Sequence, residues 1–223
     1  MQIIESLKQL YDKYSEFCIS NSSEWNIIET AQNAHLKKLH FKTEKSVLGL
    51  IKNPFYSNLS SITIDRSNFL RDSNCDGVII HDDGLTKKMI FVDLKSSLSS
   101  SNLKKAIKQD FYSFLKLQML LSVCKDYDLN DYEIYFYMAC CSCSEDELDY
   151  IRDEIFQHEE SGDMDYSNYC LRSLLFNGNN WSCTLNQLPF ASENLRIDIL
   201  LKKINFRILT TKNPEDTELS CDL

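Results

Sequence analysis

Asp76, Asp93 and Lys95 are spaced in this chain so that they can act together. Carboxylates are hard oxygen donors for a divalent cation, and a lysine ammonium beside them is a point charge suited to a phosphate. The residues between them supply the means of convergence. Asp76 and Gly77 lead into Val78, Ile79 and Ile80, then come His81, Asp82, Asp83 and Gly84, and Met89 to Val92 lead into Asp93, Leu94 and Lys95. Both apolar runs suit buried or half-buried strands, and Asp83-Gly84 is a hairpin signal because glycine tolerates positive φ. In an antiparallel hairpin the start of the first strand lies opposite the end of the second, which brings Asp76 near Asp93 and Lys95. Side chains alternate across a strand, so Asp93 and Lys95 share one face and Leu94 takes the other. Unpaired charge buried at such a sheet end is costly, so the cluster must be solvated, paired or holding an ion. The plainest alternative is that Asp93 and Lys95 simply pair with each other.

The elements that must position these residues are legible as hydrophobic patterns. Ile3, Ile4, Leu7, Leu10, Tyr11, Tyr14 and Phe17 recur at helical spacing, and a second helix is expected over 24–40. Thr43 is placed to cap a short helix through Lys52, with Val47, Leu48 and Ile51 on one face and Glu44 turned inward. A short strand is expected over 61–65, then the hairpin. Ser96 to Ser101 form a loop and N-cap for a long helix over 102–124, whose apolar face runs through Leu103, Ile107, Phe111, Phe114 and Leu121. A buried strand over 131–139, a helix over 145–157 and short strands over 181–185 and 205–209 follow. The acidic tail 213–223, with Glu215, Asp216, Glu218 and Asp222, is expected to be mobile.

Composition narrows the class of protein. Hydrophobic residues make up 43% of the 223 and charged residues 26%, ordinary values for a globular chain able to bury a core. No run reaches the apolar length of a membrane span, and Glu5 and Lys8 make the first residues unlike a signal peptide, so a cytoplasmic protein without membrane contact is expected. Nine cysteines, an odd number without paired zinc-ribbon spacing, are expected to be reduced, and Cys140 and Cys141 read as small core residues rather than as part of a zinc site with Cys143 and His158. A net charge of −9 argues against coating nucleic acid by charge alone. Residues 85–125 nevertheless hold eight lysines against Asp93 and Asp110, a local balance of +6 around the acidic cluster. Such an island suits an approaching phosphate backbone, or is a solvated helix face.

Asp76, followed by Asp93-Leu94-Lys95 in a helix, three strands, helix, strand order, resembles the PD-(D/E)xK nuclease superfamily over residues 43–139. Cys75 stands where that pattern often has proline. The resemblance implies an α/β fold with a restriction-endonuclease-like core, a mixed central sheet flanked by helices. The corresponding divisions are an N-terminal helical extension over 1–42, the core over 43–140, an elaboration over 141–212 and the tail. It also implies a metal-dependent nuclease in which Asp76, Asp93, the Leu94 carbonyl and Glu44 (Glu29 as alternative) hold Mg²⁺ or Mn²⁺. Lys95 would hold the attacking water and the scissile phosphate, and Gln109 or Lys108 would act from the following helix. The implied partners are nucleic acid, DNA in preference to RNA, and a further subunit or second copy, as in bacterial defence or repair. A catalytically inactive, nuclease-like binding module is the alternative.

Overall fold

The structure, a computed structural model, describes residues 6, 23–42, 47–51, 74–82, 84–191 and 193–222. Their order begins with strands β1 (Glu24–Ile28), β2 (Lys38–Lys42) and β3 (Val47–Ile51), then the hairpin β4 (Gly77–Asp82) and β5 (Lys87–Lys95). The long helix α1 (Ser100–Leu121), strand β6 (Glu133–Cys140) and helices α2 (Glu145–Ser161) and α3 (Tyr166–Phe176) follow. Strand β7 (Asn180–Thr184), the short α4 (Ile197–Leu200), β8 (Lys203–Thr210) and β9 (Glu218–Asp222) complete it. The class is mixed α/β, with two mixed sheets. The larger has the order β3-β4-β5-β6-β8-β7, and the smaller has the order β1-β2-β9.

In the larger sheet β3, β4 and β5 pair antiparallel, while β5, β6 and β8 pair parallel. A parallel neighbour cannot follow β5 by a tight turn, so the chain crosses over through α1, which packs on β5 and β6. Ser99 ends the serine-rich loop by capping α1, its hydroxyl accepting from Asn102 N at 3.2 Å. Gly84 turns the hairpin at φ +84°, in the left-handed region. Its N–H donates to Asp82 Oδ1 at 3.0 Å, which tightens the corner.

Strand alternation divides the core in two. Val78, Ile80, Met89, Phe91, Phe136 and Met138 face α1 and α3, whereas Ile79, Ile90, Val92, Leu94 and Ala139 face the smaller sheet. On the α1 side Phe91 meets Phe114 and Phe136 edge to face, with centroids 5.9 and 5.7 Å apart. On the other side Trp25, Ile27, Leu39 and Phe41 close over the sheet. Gly77 allows this approach, since a Cβ there would stand 2.5 Å from Ile27 Cδ1.

Three expectations are corrected. Residues 24–40 form two strands rather than a helix, because Trp25 and Ile27, then Leu39 and Phe41, alternate with period two and bury one face. The helix-favouring stretch between them is a loop, whose carbonyls at Ala31 and Gln32 accept from Lys37 Nζ at 2.6 and 3.0 Å. The helix expected from Thr43 is replaced by β3, since a short apolar run fits a buried strand as well as a helical face, and Gly49 disfavours the helix. The acidic tail is not without structure. Its Leu219 and Cys221 alternate with polar residues, pack on the core, and let β9 pair parallel to β2. Between the helix expected over 145–157 and the strand expected over 181–185 lies α3, whose Cys170, Leu171 and Leu174 are buried. The helix expected over 3–17, apart from residue 6, and the strand over 61–65 lie outside the described residues.

Candidate active site

The β4–β5 ladder sets Gly77 opposite Val92 and is extended one residue by Asp76 N donating to Val92 O at 2.8 Å. Asp76 and Asp93 are therefore cross-strand neighbours. Where main-chain pairing stops, the Asp76 side chain takes over, its Oδ2 accepting from Leu94 N at 2.6 Å. Asp93 is 1% exposed, and its Oδ1 accepts from Lys95 Nζ at 2.5 Å. Asp93 Oδ2 is buried without a hydrogen-bond partner among the described residues.

Helix α1 closes the cluster from above the sheet. Gln109 Oε1 accepts from Lys95 Nζ at 3.1 Å, and Gln109 Nε2 donates to Asn74 O at 2.7 Å. Ser113 Oγ accepts from Cys75 N at 2.9 Å, and the fully buried Lys116 donates to Asn74 Oδ1. Three side chains at helical spacing thus fix the segment that carries Asp76 into its strand. Asp110, 1% exposed on the same helix, has its Oδ1 buried without a partner among the described residues.

Burial governs the electrostatics. It pushes the Asp93 carboxyl well above the usual carboxylate range, opposed by the Lys95 ammonium and reinforced by Asp76. Burial likewise pushes Asp110 up, with Asp93 adding to the shift and Lys95 opposing it. Two buried acids beside one engaged lysine leave negative charge that is difficult to accommodate without a cation or protons.

The structure thus brings Asp76, Asp93, Leu94, Lys95 and Gln109 together. Lys108 is exposed. Glu44 lies outside the described residues, and Glu29, at the end of β1, turns its carboxylate to its own loop, accepting from Ala31 N at 2.7 Å. Sequence reading missed Asn74, Asp110, Ser113 and Lys116. The available signal was the recurrence of polar residues at 109, 113 and 116, but a buried lysine and a solvated one look alike in sequence. Lys116 does not belong to an outward basic face, and Lys87 pairs with Asp131 at 2.7 Å and Lys104 with Asp165 at 3.3 Å.

The unpartnered Asp93 Oδ2 and Asp110 Oδ1, with the oxygen-only donor set, fit Mg²⁺ or Mn²⁺ better than zinc. Among the described residues no group of three or more His, Cys, Asp or Glu side chains is arranged to hold a metal directly. Direct protein ligation would therefore rest on two carboxylates, with water completing the shell, which suits Mg²⁺. Cys140 and Cys141 are buried free thiols, both pushed up by burial. No helix of the described residues is long and apolar enough to cross a membrane. Comparisons with family models, with curated proteins and with solved structures found no match to this chain.

Proposed function

We propose that this chain is a Mg²⁺- or Mn²⁺-dependent nuclease built on a PD-(D/E)xK-type core and hydrolysing phosphodiester bonds, with DNA the preferred substrate. The observation that carries the reading is the convergence of Asp76, Asp93 and Lys95 at the end of the β4–β5 hairpin, on the face covered by α1. The order β3, β4, β5, α1, β6, paired antiparallel, antiparallel and parallel, supports it, because it corresponds to the three strands, helix and strand of that core, although β3 stands where the preceding helix was expected.

In this reading Asp76, Asp93 and the Leu94 carbonyl hold the cation. A bound divalent ion supplies Lewis acidity to the phosphoryl group and lowers the pKa of a coordinated water. Lys95, with two of its three N–H donors engaged by Asp93 and Gln109, keeps a third for the scissile phosphate or the attacking water. Gln109 holds the Lys95 ammonium in place and ties it to the segment before Asp76. Ser113 and Lys116 keep that segment from drifting, and small displacements of reacting groups are costly to rate. A second chain, either a partner subunit or another copy, would extend the grip on a long substrate in a defence or repair setting.

The test is cleavage of plasmid, linear and single-stranded DNA in Mg²⁺ or Mn²⁺ by the native chain, Asp93→Ala and Lys95→Ala. Each substitution is expected to lower the rate about 10²–10³-fold, the usual cost of removing one group that stabilises the transition state. Equal cleavage by all three would remove the assignment. A native chain that binds Mn²⁺ and DNA without cutting would instead favour the inactive binding module.

A further inference from the structure

Position 110 is a core position occupied by an acid. Its neighbours along α1, Ile107, Phe111 and Phe114, are buried in the apolar cluster between helix and sheet. Asp110 itself borders a small cavity of about 10 Å³, lined mostly by apolar residues such as Ala106, Ile107, Met138 and Ile208, together with the exposed Arg207. An aliphatic side chain would fill that space without desolvating a carboxyl group, so packing alone gives no reason for aspartate.

The neighbourhood supplies one. Met138, which borders the same cavity, is the register partner of Asp93. Gln109, one residue before Asp110, touches Lys95. The charged groups acting on Asp110 are Asp93, Lys95 and Asp76. Its Oδ1 is buried with no protein donor among the described residues, and Asp93 Oδ2 is in the same condition.

We infer that Asp110 is a third acidic member of the site, a positioning residue that accepts hydrogen bonds from the water shell of the divalent cation held beside Asp93. The inference rests on the cation-binding part of the proposed function. It is consistent with the absence, among the described residues, of a three-residue group placed for direct ligation, because Asp110 acts through coordinated water. Mg²⁺ and Mn²⁺ suit such an arrangement, since Mg²⁺ in particular usually keeps several waters.

The experiment is Mn²⁺ titration of the whole chain by calorimetry, with thermal melting in EDTA and in Mg²⁺, for the native protein, Asp110→Asn, Asp110→Leu and Asp93→Asn. Asp110→Asn keeps the shape and removes the charge. It is expected to weaken Mn²⁺ binding 10- to 100-fold, the usual effect of losing an outer-shell partner. Its melting in EDTA should equal or exceed the native value, as should that of Asp110→Leu, while the rise in melting temperature given by Mg²⁺ shrinks in both. Asp93→Asn should lose binding altogether. Native-like Mn²⁺ affinity in Asp110→Asn, with binding lost in Asp93→Asn, overturns the role of Asp110 and leaves the cation site standing. Equal destabilisation of Asp110→Asn in EDTA and in Mg²⁺ makes the residue structural and also overturns it. No Mn²⁺ binding by the native chain overturns the cation site itself.

Discussion

The two faces of the β4–β5 hairpin are built from alternate residues of the same strands, yet they are held by different forces. Toward the smaller sheet, Ile79, Ile90, Val92 and Leu94 meet Trp25, Ile27, Leu39 and Phe41 in an apolar layer close enough to need a glycine at 77. Toward α1, Val78, Ile80, Met89 and Phe91 begin the same way, but the end of that face is given over to Asp76, Asp93 and Lys95, with Gln109, Asp110, Ser113 and Lys116 above them. An apolar layer is non-directional and tolerates many side-chain sets of similar volume. A buried polar group needs a partner at a defined place, so the α1 face specifies geometry at a cost in stability.

Adjacent residues of β5 tell the two faces apart most strongly. Phe91→Ala removes a ring from three-way aromatic contact on the α1 face and is expected to cost about 3–5 kcal/mol in denaturant unfolding, with weakened affinity for the proposed cation because the support of α1 slackens. Ile90→Ala, one residue away and facing the smaller sheet, is expected to cost about 2–5 kcal/mol while cation affinity in the folded protein stays within about twofold. If both affected the cation equally, the faces would not be separable.

The close approach at Gly77 gives a smaller effect. Gly77→Ala forces Cβ against Ile27, with an expected loss of about 1–3 kcal/mol. Trimming the neighbour by Ile27→Val should recover part of it, and a double-mutant cycle measures the recovery. Additive losses would mean that the approach of the small sheet at Gly77 is not a direct contact.

The smallest effect is on the dependence of stability on pH. Asp93 and Asp110 both titrate above their ordinary value when folded, so between the unfolded and folded values the native state holds more protons than the unfolded one. Their contribution is fully present below the unfolded pKa, about 4, and is lost as pH rises through the folded values. Denaturation in EDTA from pH 4 upward should show that decline, and the slope should flatten in Asp110→Asn. A slope unchanged by the substitution would mean that Asp110 does not carry the extra proton.

The hairpin, its turn and the Asp93-Lys95 pair were legible because period-two alternation and an Asp-Gly corner are local signals. The cap of α1 at Ser99 and the strand at β6 were legible for the same reason. The strands at 24–28, 38–42 and 47–51 were not, since five-residue apolar patterns fit either a helical face or a strand until a neighbour chooses; Ile79, Ile90 and Val92 choose for the first two, and pairing with β4 for the third. The tail was misread because the partner of Leu219 and Cys221 lies some 180 residues away in β2, beyond any local pattern. In the site, Gln109 came, with Lys108 as the other candidate, from the resemblance to the PD-(D/E)xK pattern and not from spacing. Asp110 and Lys116 were overlooked because charge in a helix reads as exposure, and only packing shows that these two point inward.

The bond from Leu94 N to Asp76 Oδ2 makes one side chain a stopper for the hairpin. A main-chain acceptor in that place would let the two strands zip further. An acidic acceptor ends the zipper and sets a carboxylate at the strand end beside Asp93. Neutralising residue 76 should therefore loosen the strand end as well as discharge the site, seen as faster hydrogen exchange at the Leu94 amide.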